Sequence, residues 1–169
     1  MLYVAREMGV NPVAAINDAN ASHYMSFFSF RKDEILRRKK LIDRLFAEGT
    51  PFFIFPFKIF WLITPTESVH PAQILISVSK RAFKHATDRN RIKRQIREAY
   101  RNNKHVLYDR LVNYNTQGIV AFLYTANHQL PSEEIDAKIK AIIKRLSVEI
   151  DKNLNKPPSP LSDKIKYNT

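Results

Sequence analysis

The chain has 169 residues, and its 28 lysines and arginines against 16 aspartates and glutamates give a formal net charge of +12. This length suffices for one domain with a hydrophobic core, and 44% hydrophobic residues argue against wholesale disorder. The absence of cysteine excludes disulfides, thiolate metal sites and a cysteine nucleophile, and the five histidines lie at no zinc-type spacing.

The first 29 residues are predicted to be a flexible extension. They lack a cationic start followed by an apolar block, so they do not resemble an export signal, and Met25 is an alternative start of translation. The longest apolar stretch, residues 52–63, is shorter than the about 18 residues that a spanning helix needs, and Pro56 and Lys58 interrupt it. We therefore expect a soluble, cytoplasmic protein with no membrane partner.

The first half of the folded domain is predicted to be one helix followed by three strands. A helix is expected over 31–48, because apolar residues recur at three- and four-residue spacing and Gly49 is a suitable stop. The apolar residues of this stripe are Ile35, Leu41, Ile42, Leu45 and Phe46. Residues 51–64 predict two strands separated at Pro56, and residues 73–79 predict a third. The second strand alternates between one face with Phe57, Ile59 and Trp61 and another with Lys58, Phe60 and Leu62.

A basic loop at 80–87 and a basic helix to about residue 103 follow the third strand. Asp88 is predicted to cap this helix, with its carboxylate near the positive end of the helix dipole. The buried stripe of the helix is expected to contain Ile92, Ile96 and Ala99. Residues 104–116 are predicted to be loop and turn.

The chain then predicts a fourth strand and a last helix. Residues 118–124 are nearly all apolar, which indicates a central strand. Ser132 begins a helix whose predicted core residues are Ile135, Ile139, Ile142, Leu146 and Ile150. The folded domain is thus expected over 30–153, before a disordered tail over 154–169. The order of helix, three strands, helix, strand and helix predicts an α+β two-layer sandwich with a four-stranded sheet.

The excess positive charge lies in two short segments. Residues 80–104 contain ten lysines and arginines against two acids, and residues 31–44 contain seven against three. Charge that only serves solubility is normally dispersed, whereas concentrated charge creates a field suited to a polyanion. The alternatives are two solvated helix faces, or a membrane-surface patch, which the core-like apolar residues of helix 31–48 disfavour.

The basic helix stacks cations in a row. At 100° per residue, Arg89, Lys93 and Arg97 lie along one line beside the apolar stripe. Like charges at four-residue spacing cost about a few tenths of a kcal/mol per pair in an isolated helix. This row therefore predicts an anionic ligand, and arginines contact phosphates with two parallel hydrogen bonds.

The residues around this helix resemble a known family. ISVSKR at 76–81 and ATDRNRIKRQIREAYR at 86–101, together with the helix at 39–46 and Gly49, are similar to the signature of the bacterial ribonuclease P protein component. The resemblance covers about residues 30–150. It implies the fold of ribosomal protein S5 domain 2, including a left-handed crossover between parallel strands, against the usual right-handed rule.

The resemblance also implies a function in tRNA processing. In that family a catalytic RNA, with its Mg²⁺ ions, removes the 5′ leader of precursor tRNA, and the protein assists. The implied partners are therefore that RNA and precursor tRNA, without an obligate protein partner. By similarity, the residues that contact the catalytic RNA are Lys80, Arg81, Arg89, Asn90, Arg91, Lys93, Arg94 and Arg97.

The family also holds the single-stranded leader in a cleft between its first helix and its sheet. The matching positions here are Ile42, Phe46, Lys58 and Phe60. Ile42 stands where the family often has an aromatic residue, so this position offers apolar contact rather than stacking. From spacing alone, Phe46 and Phe60 also fit a core, whereas Lys58, a charge within an apolar strand, needs a partner or solvent.

Two other functions fit parts of this pattern. A general RNA-binding or ribosome-associated protein would share the basic helix, and the stimulation of a catalytic RNA would distinguish the two. A protein that cuts nucleic acid alone is disfavoured, because it needs a general base or a carboxylate cluster for metal. The closest acids, Glu133, Glu134 and Asp136, lie at a helix start, where the dipole favours them anyway.

Overall fold

The computed structural model describes residues 30–66 and 68–154. A 3-10 turn, Lys32–Glu34, comes first. The helices are α1 (Lys39–Glu48), α2 (Ala86–Asn103), α3 (His105–Asn113) and α4 (Ser132–Leu154). The strands are β1 (Thr50–Ile54), β2 (Phe57–Ile63), β3 (Ala72–Val78) and β4 (Gly118–Tyr124). The predicted extension over 1–29, and the predicted tail except Leu154, lie outside the described residues.

The four strands form one mixed sheet in the order β1-β2-β4-β3. Strand β2 pairs antiparallel with β1 and β4, and β3 pairs parallel with β4. Pro56, which has no backbone donor, lies between β1 and β2 as predicted, and the apolar strand β4 lies inside the sheet. The predicted α+β class with a four-stranded sheet is confirmed, and the left hand of the β3–β4 crossover stays a prediction.

Helices pack on both faces of this sheet. On one face, the ring of Tyr100 in α2 lies 5.9 Å from that of Phe122 in β4. On the other face, Leu45 of α1 clusters with Ile119 and Ala121 of β4. The predicted alternation of β2 is confirmed, with Phe57, Ile59 and Trp61 buried on the α2 side and Lys58, Phe60 and Leu62 on the α1 side. Because α1 has only 10 residues, it leaves part of the sheet on its side uncovered.

The prediction of one helix over 31–48 is wrong for its first half. Helix α1 begins at Lys39, and the residues before it form the 3-10 turn and an extended segment. In this segment the Leu36 N–H donates to the Ile74 carbonyl at 2.8 Å. Glu34 and Leu36 are buried, at 0% and 2% exposure. Helical propensity is a weak force by itself, so these contacts with the rest of the domain determine the local structure.

Two predictions around α2 are also wrong. The helix begins at Ala86 with His85 at its N-cap position, and the cap makes no side-chain hydrogen bond. Asp88 therefore lies in the first turn instead of capping it, although still near the positive end of the dipole. The segment 104–116, predicted as loop and turn, contains α3. Its short apolar stripe, which anchors the helix, consists of Leu107, Tyr108 and Leu111.

Gly49 ends α1 as predicted, for a steric reason. Its φ of −68° is open to any residue, so left-handed backbone is not involved. A Cβ atom at this position would lie 2.2 Å from the carbonyl oxygen of Leu45. The end of α1 therefore requires a residue without a side chain.

The core stripe predicted for the last helix is confirmed. Its five members are each at most 3% exposed: Ile135, Ile139, Ile142, Leu146 and Ile150. Among the helices within 30–66 and 68–154, none has the length and apolar character needed to cross a lipid bilayer.

Candidate nucleic-acid interface

A strip of positive charge runs from the loop after β3 onto the first turns of α2. We call it the basic strip, and its members are Lys80, Arg81, Arg89, Asn90, Arg91, Lys93, Arg94 and Arg97, the residues assigned above to the catalytic RNA. The exposed members are Lys80, Arg81, Asn90, Arg91 and Arg94, and the others are half-buried. The structure thus places all eight on one continuous loop-and-helix segment.

Arg89 holds the loop of the basic strip in place. Its guanidinium donates to the carbonyl oxygens of Phe83 at 2.7 Å and Lys84 at 2.8 Å. At the start of the loop, the Arg81 N–H donates to Ser79 Oγ at 3.2 Å. Arg89 therefore positions the loop as well as adding charge, a role that the spacing on the helix did not reveal.

The cations of α2 wrap around the helix instead of forming one line. Arg89, Lys93 and Arg97 form the predicted row. Arg94 lies on the flank beyond Arg97, and Arg91 projects about 160° from Arg89 at 100° per residue. A surface that contacts all of them must be concave or must have several contact points, as a folded RNA has.

The basic strip has few anionic partners within the protein. Among the described residues, no carboxylate forms an ion pair with Arg91, Lys93, Arg94 or Arg97. Glu98, on the same helix, pairs with Arg101, and this hydrogen bond holds the pKa of Glu98 below its usual value. The strip therefore keeps its positive charge available for an external anion.

A second feature is the open part of the sheet beside α1, which we call the groove. It is lined by Ile42, Phe46, Lys58 and Phe60, the four residues assigned above to the leader. The rings of Phe46 and Phe60 meet edge to face, with centroids 5.1 Å apart, and Lys58 Nζ lies 5.1 Å from the centroid of Phe60. Ile42 packs against the same apolar cluster as Phe60. The structure brings these four residues together.

The groove contains one more aromatic residue, Phe53, which sequence reasoning missed. It is 55% exposed and pairs across the β1–β2 hairpin with Lys58. The signal was available, because Phe52 is the buried residue of β1 and its neighbour must face the other way.

Comparison with known families identifies the family of the chain. The family model for ribonuclease P matches residues 30–147, which is most of the chain. The chain belongs to the ribonuclease P protein family. Ribonuclease P is a ribonucleoprotein endoribonuclease of tRNA processing, so this protein is a subunit that partners the ribonuclease P RNA.

Individual members of the ribonuclease P protein family support this assignment. The chain is 36% identical over 104 residues to the ribonuclease P protein component of Porphyromonas gingivalis, across 62% of this chain and 75% of that protein. It is 36% identical over 124 residues to the protein component of Chlorobaculum tepidum, across 68% of this chain and 80% of that protein.

Solved ribonuclease P proteins share the fold. The Thermotoga maritima protein superposes with a TM-score of 0.52 at 21% identity, across 66% of this chain and 96% of that chain. The Staphylococcus aureus protein superposes with a TM-score of 0.51 at 17% identity, across 67% of this chain and 94% of that chain.

Proposed function

We propose that the basic strip binds the catalytic RNA and that the groove holds the single-stranded 5′ leader of precursor tRNA, in the bacterial cytoplasm. In this arrangement the RNA cleaves, and the protein binds the RNA on one surface and the leader on another. The observation that carries the proposal is the combination of unpaired cations on α2 with an aromatic groove on the same domain.

The chemistry of the basic strip suits a folded RNA. Its arginines present forked donors that match phosphate oxygens, and Asn90 can hydrogen-bond a phosphate, a sugar or a base edge. The first turn of α2 adds backbone N–H groups at the positive end of its dipole. Arg89 supports this surface by fixing the loop that carries Lys80 and Arg81.

The chemistry of the groove suits a single strand. Phe46 is 42% exposed, and an exposed ring can stack on a base of any sequence. Lys58 is exposed, and no carboxylate among the described residues forms an ion pair with it. Its ammonium group can therefore contact a backbone phosphate. Ile42 contributes apolar contact only.

Magnesium enters this proposal as an ion held mainly by the RNA. Over 30–66 and 68–154, no group of three or more His, Asp or Glu residues could hold a metal ion. The donors of the protein's own surface fit phosphates, and the metal ions would supply activation of water and stabilisation of the leaving oxygen at the RNA.

Two substitutions in the reconstituted ribonucleoprotein test the two surfaces independently. Arg94→Ala should weaken assembly with the catalytic RNA by about tenfold, the scale of one charge-assisted hydrogen bond. Lys58→Ala should leave assembly unchanged and should weaken the binding of precursor tRNA relative to that of mature tRNA, because only the precursor has a leader. Filter binding of the protein to the catalytic RNA measures the first effect, and the affinities of the reconstituted ribonucleoprotein for precursor and mature tRNA measure the second.

The matched control is Lys140→Ala, which removes one exposed charge on α4 and should change neither quantity. Equal losses for precursor and mature tRNA in Lys58→Ala would contradict leader binding. A wild-type protein that binds the catalytic RNA but fails to stimulate cleavage at low magnesium would favour a general RNA-binding protein instead.

A further inference from the structure

A row of four residues crosses the whole sheet on the open face beside α1. Ser77 of β3 pairs with Leu123 of β4, Leu123 pairs with Lys58 of β2, and Lys58 pairs with Phe53 of β1. Paired residues on neighbouring strands point to the same face. At about 4.8 Å per strand, the row spans about 14 Å, which accommodates a short stretch of an extended strand.

One end of this row lies next to the basic strip. Ser77 is followed within three residues by Lys80, where the basic strip begins. Strands β3 and β1 are opposite edges of the sheet. Helix α2, which carries most of the basic strip, packs on the other face of the sheet, so a strand that leaves an RNA docked there passes around the β3 edge. It then meets Ser77 first, then Lys58, and reaches Phe53 last.

Phe53 is exposed where an ordinary sheet would have a polar residue. The solvent-facing side of an antiparallel hairpin normally carries polar residues, but this ring is 55% exposed. An exposed aromatic beside a cation is the combination that single-stranded nucleic acid binds, through base stacking and a phosphate contact.

The ring of Phe60 is less available than that of Phe53. Phe60 is half-buried, Phe46 packs edge to face against it, and Lys58 Nζ lies 5.1 Å from its centroid. A base that stacked there would have to displace the ammonium group. Phe60 therefore orients Lys58 and Phe46, whereas the ring face of Phe53 is open.

We infer that Phe53 is a stacking platform for one nucleotide of the leader, at the β1 end of the groove, with the phosphate of that nucleotide contacting Lys58. This inference rests on the proposed leader groove and adds one specific subsite to it. The subsite selects for leader length, because a short leader ends before it reaches β1.

Leader length provides the test. In the reconstituted ribonucleoprotein, Phe53→Ala should weaken the binding of precursor tRNA with long leaders by about 5- to 10-fold. It should not affect the binding of precursors with short leaders. Phe53→Tyr should behave as the wild type, and Phe53→Leu should behave as Phe53→Ala, since it keeps apolar bulk without an aromatic face. An abasic nucleotide, moved along the leader, should abolish the effect of Phe53→Ala at a single position.

Three outcomes would overturn this inference. The first is a loss that is independent of leader length, and the second is a Phe53→Leu protein that binds long leaders normally. The third is a Phe53 variant that changes the sedimentation of the protein but not the binding of long leaders. This result would make the face a contact between two copies of the chain. Failure of the leader groove itself would be distinguishable, because Lys58→Ala would then weaken the binding of precursor and mature tRNA by the same factor or leave both unchanged. Thermal unfolding of Phe53→Leu checks that the fold is kept.

Discussion

Glu34 and Lys104 form a buried ion pair between the segment before α1 and the end of α2. Lys104 Nζ donates to Glu34 Oε2 at 2.6 Å, and the two residues are 1% and 0% exposed. Tyr108 Oη donates to the same oxygen at 2.6 Å, and the Arg31 N–H donates to Oε1 at 3.0 Å. Burial lowers the pKa of Lys104, and the Glu34 carboxylate opposes that shift. This network fixes the chain that leads into α1.

Removal of one partner of this buried ion pair should destabilise the fold. Glu34→Ala should lower the free energy of unfolding by about 3–5 kcal/mol, because it leaves the Lys104 ammonium buried without an anion. Urea unfolding followed by circular dichroism measures the change. The double variant with Glu34→Ala and Lys104→Met should lose less than the single variant, since no charge is then stranded. Strictly additive losses would contradict a coupled pair.

Lys104 also shows what a charge count can and cannot predict. The composition of residues 80–104 correctly predicted a cationic surface, and the basic strip is where it was expected. Three of its ten cations lie outside the basic strip, because Lys84 is an exposed loop residue beside it, Lys104 is buried against Glu34 and Arg101 pairs with Glu98. The partner of Lys104 lies 70 positions earlier in the chain, so no local pattern could reveal it.

At the scale of secondary-structure elements, the loop before α2 depends on one arginine of that helix. Both hydrogen bonds to the loop carbonyls come from Arg89 Nη1, which lies one bond farther along the side chain than the ammonium group of a lysine would reach. Arg89→Lys should therefore weaken assembly with the catalytic RNA by about 5- to 10-fold although the charge is unchanged. Arg94→Lys is the matched control and should retain more of the binding. Filter binding at fixed magnesium compares them, and equal behaviour of the two variants would show that Arg89 acts through charge alone.

Elements with a clear period could be predicted from the sequence, and those shaped by distant contacts could not. Strand β2 follows alternation and the stripe of α4 follows helical spacing, so their faces were predicted correctly. Residues 31–38 contain helix-compatible residues, but Leu36 bonds to Ile74, and the segment becomes extended. In the groove, the spacing of Phe46 and Phe60 favoured a core over a stacking surface, whereas the structure leaves Phe46 42% exposed and Phe60 half-buried.

For the whole molecule, the sheet connects two surfaces of different chemistry. The basic strip begins in the loop after the edge strand β3 and continues on α2, on one face of the sheet. The aromatic groove lies on the other face, on α1, β2 and β1. Cations that the protein itself leaves unpaired serve one surface, and exposed aromatic rings serve the other. Such a division suits a subunit that holds a structured RNA and a flexible strand at the same time, since phosphates and unstacked bases need different partners.

The dependence of RNA binding on salt should report this division. Phosphate contacts release counterions, so the logarithm of the affinity falls with the logarithm of salt concentration by about 0.7–0.9 per phosphate. Arg94→Ala should reduce the slope for the catalytic RNA by about that amount, whereas Phe53→Leu should leave it unchanged, because Phe53 lies in the groove and not on the basic strip. Binding measured between low and high potassium chloride at constant magnesium gives both slopes. A flat salt curve for the wild type would show that the basic strip does not contact phosphates, and the assignment of this surface to the RNA would then fail.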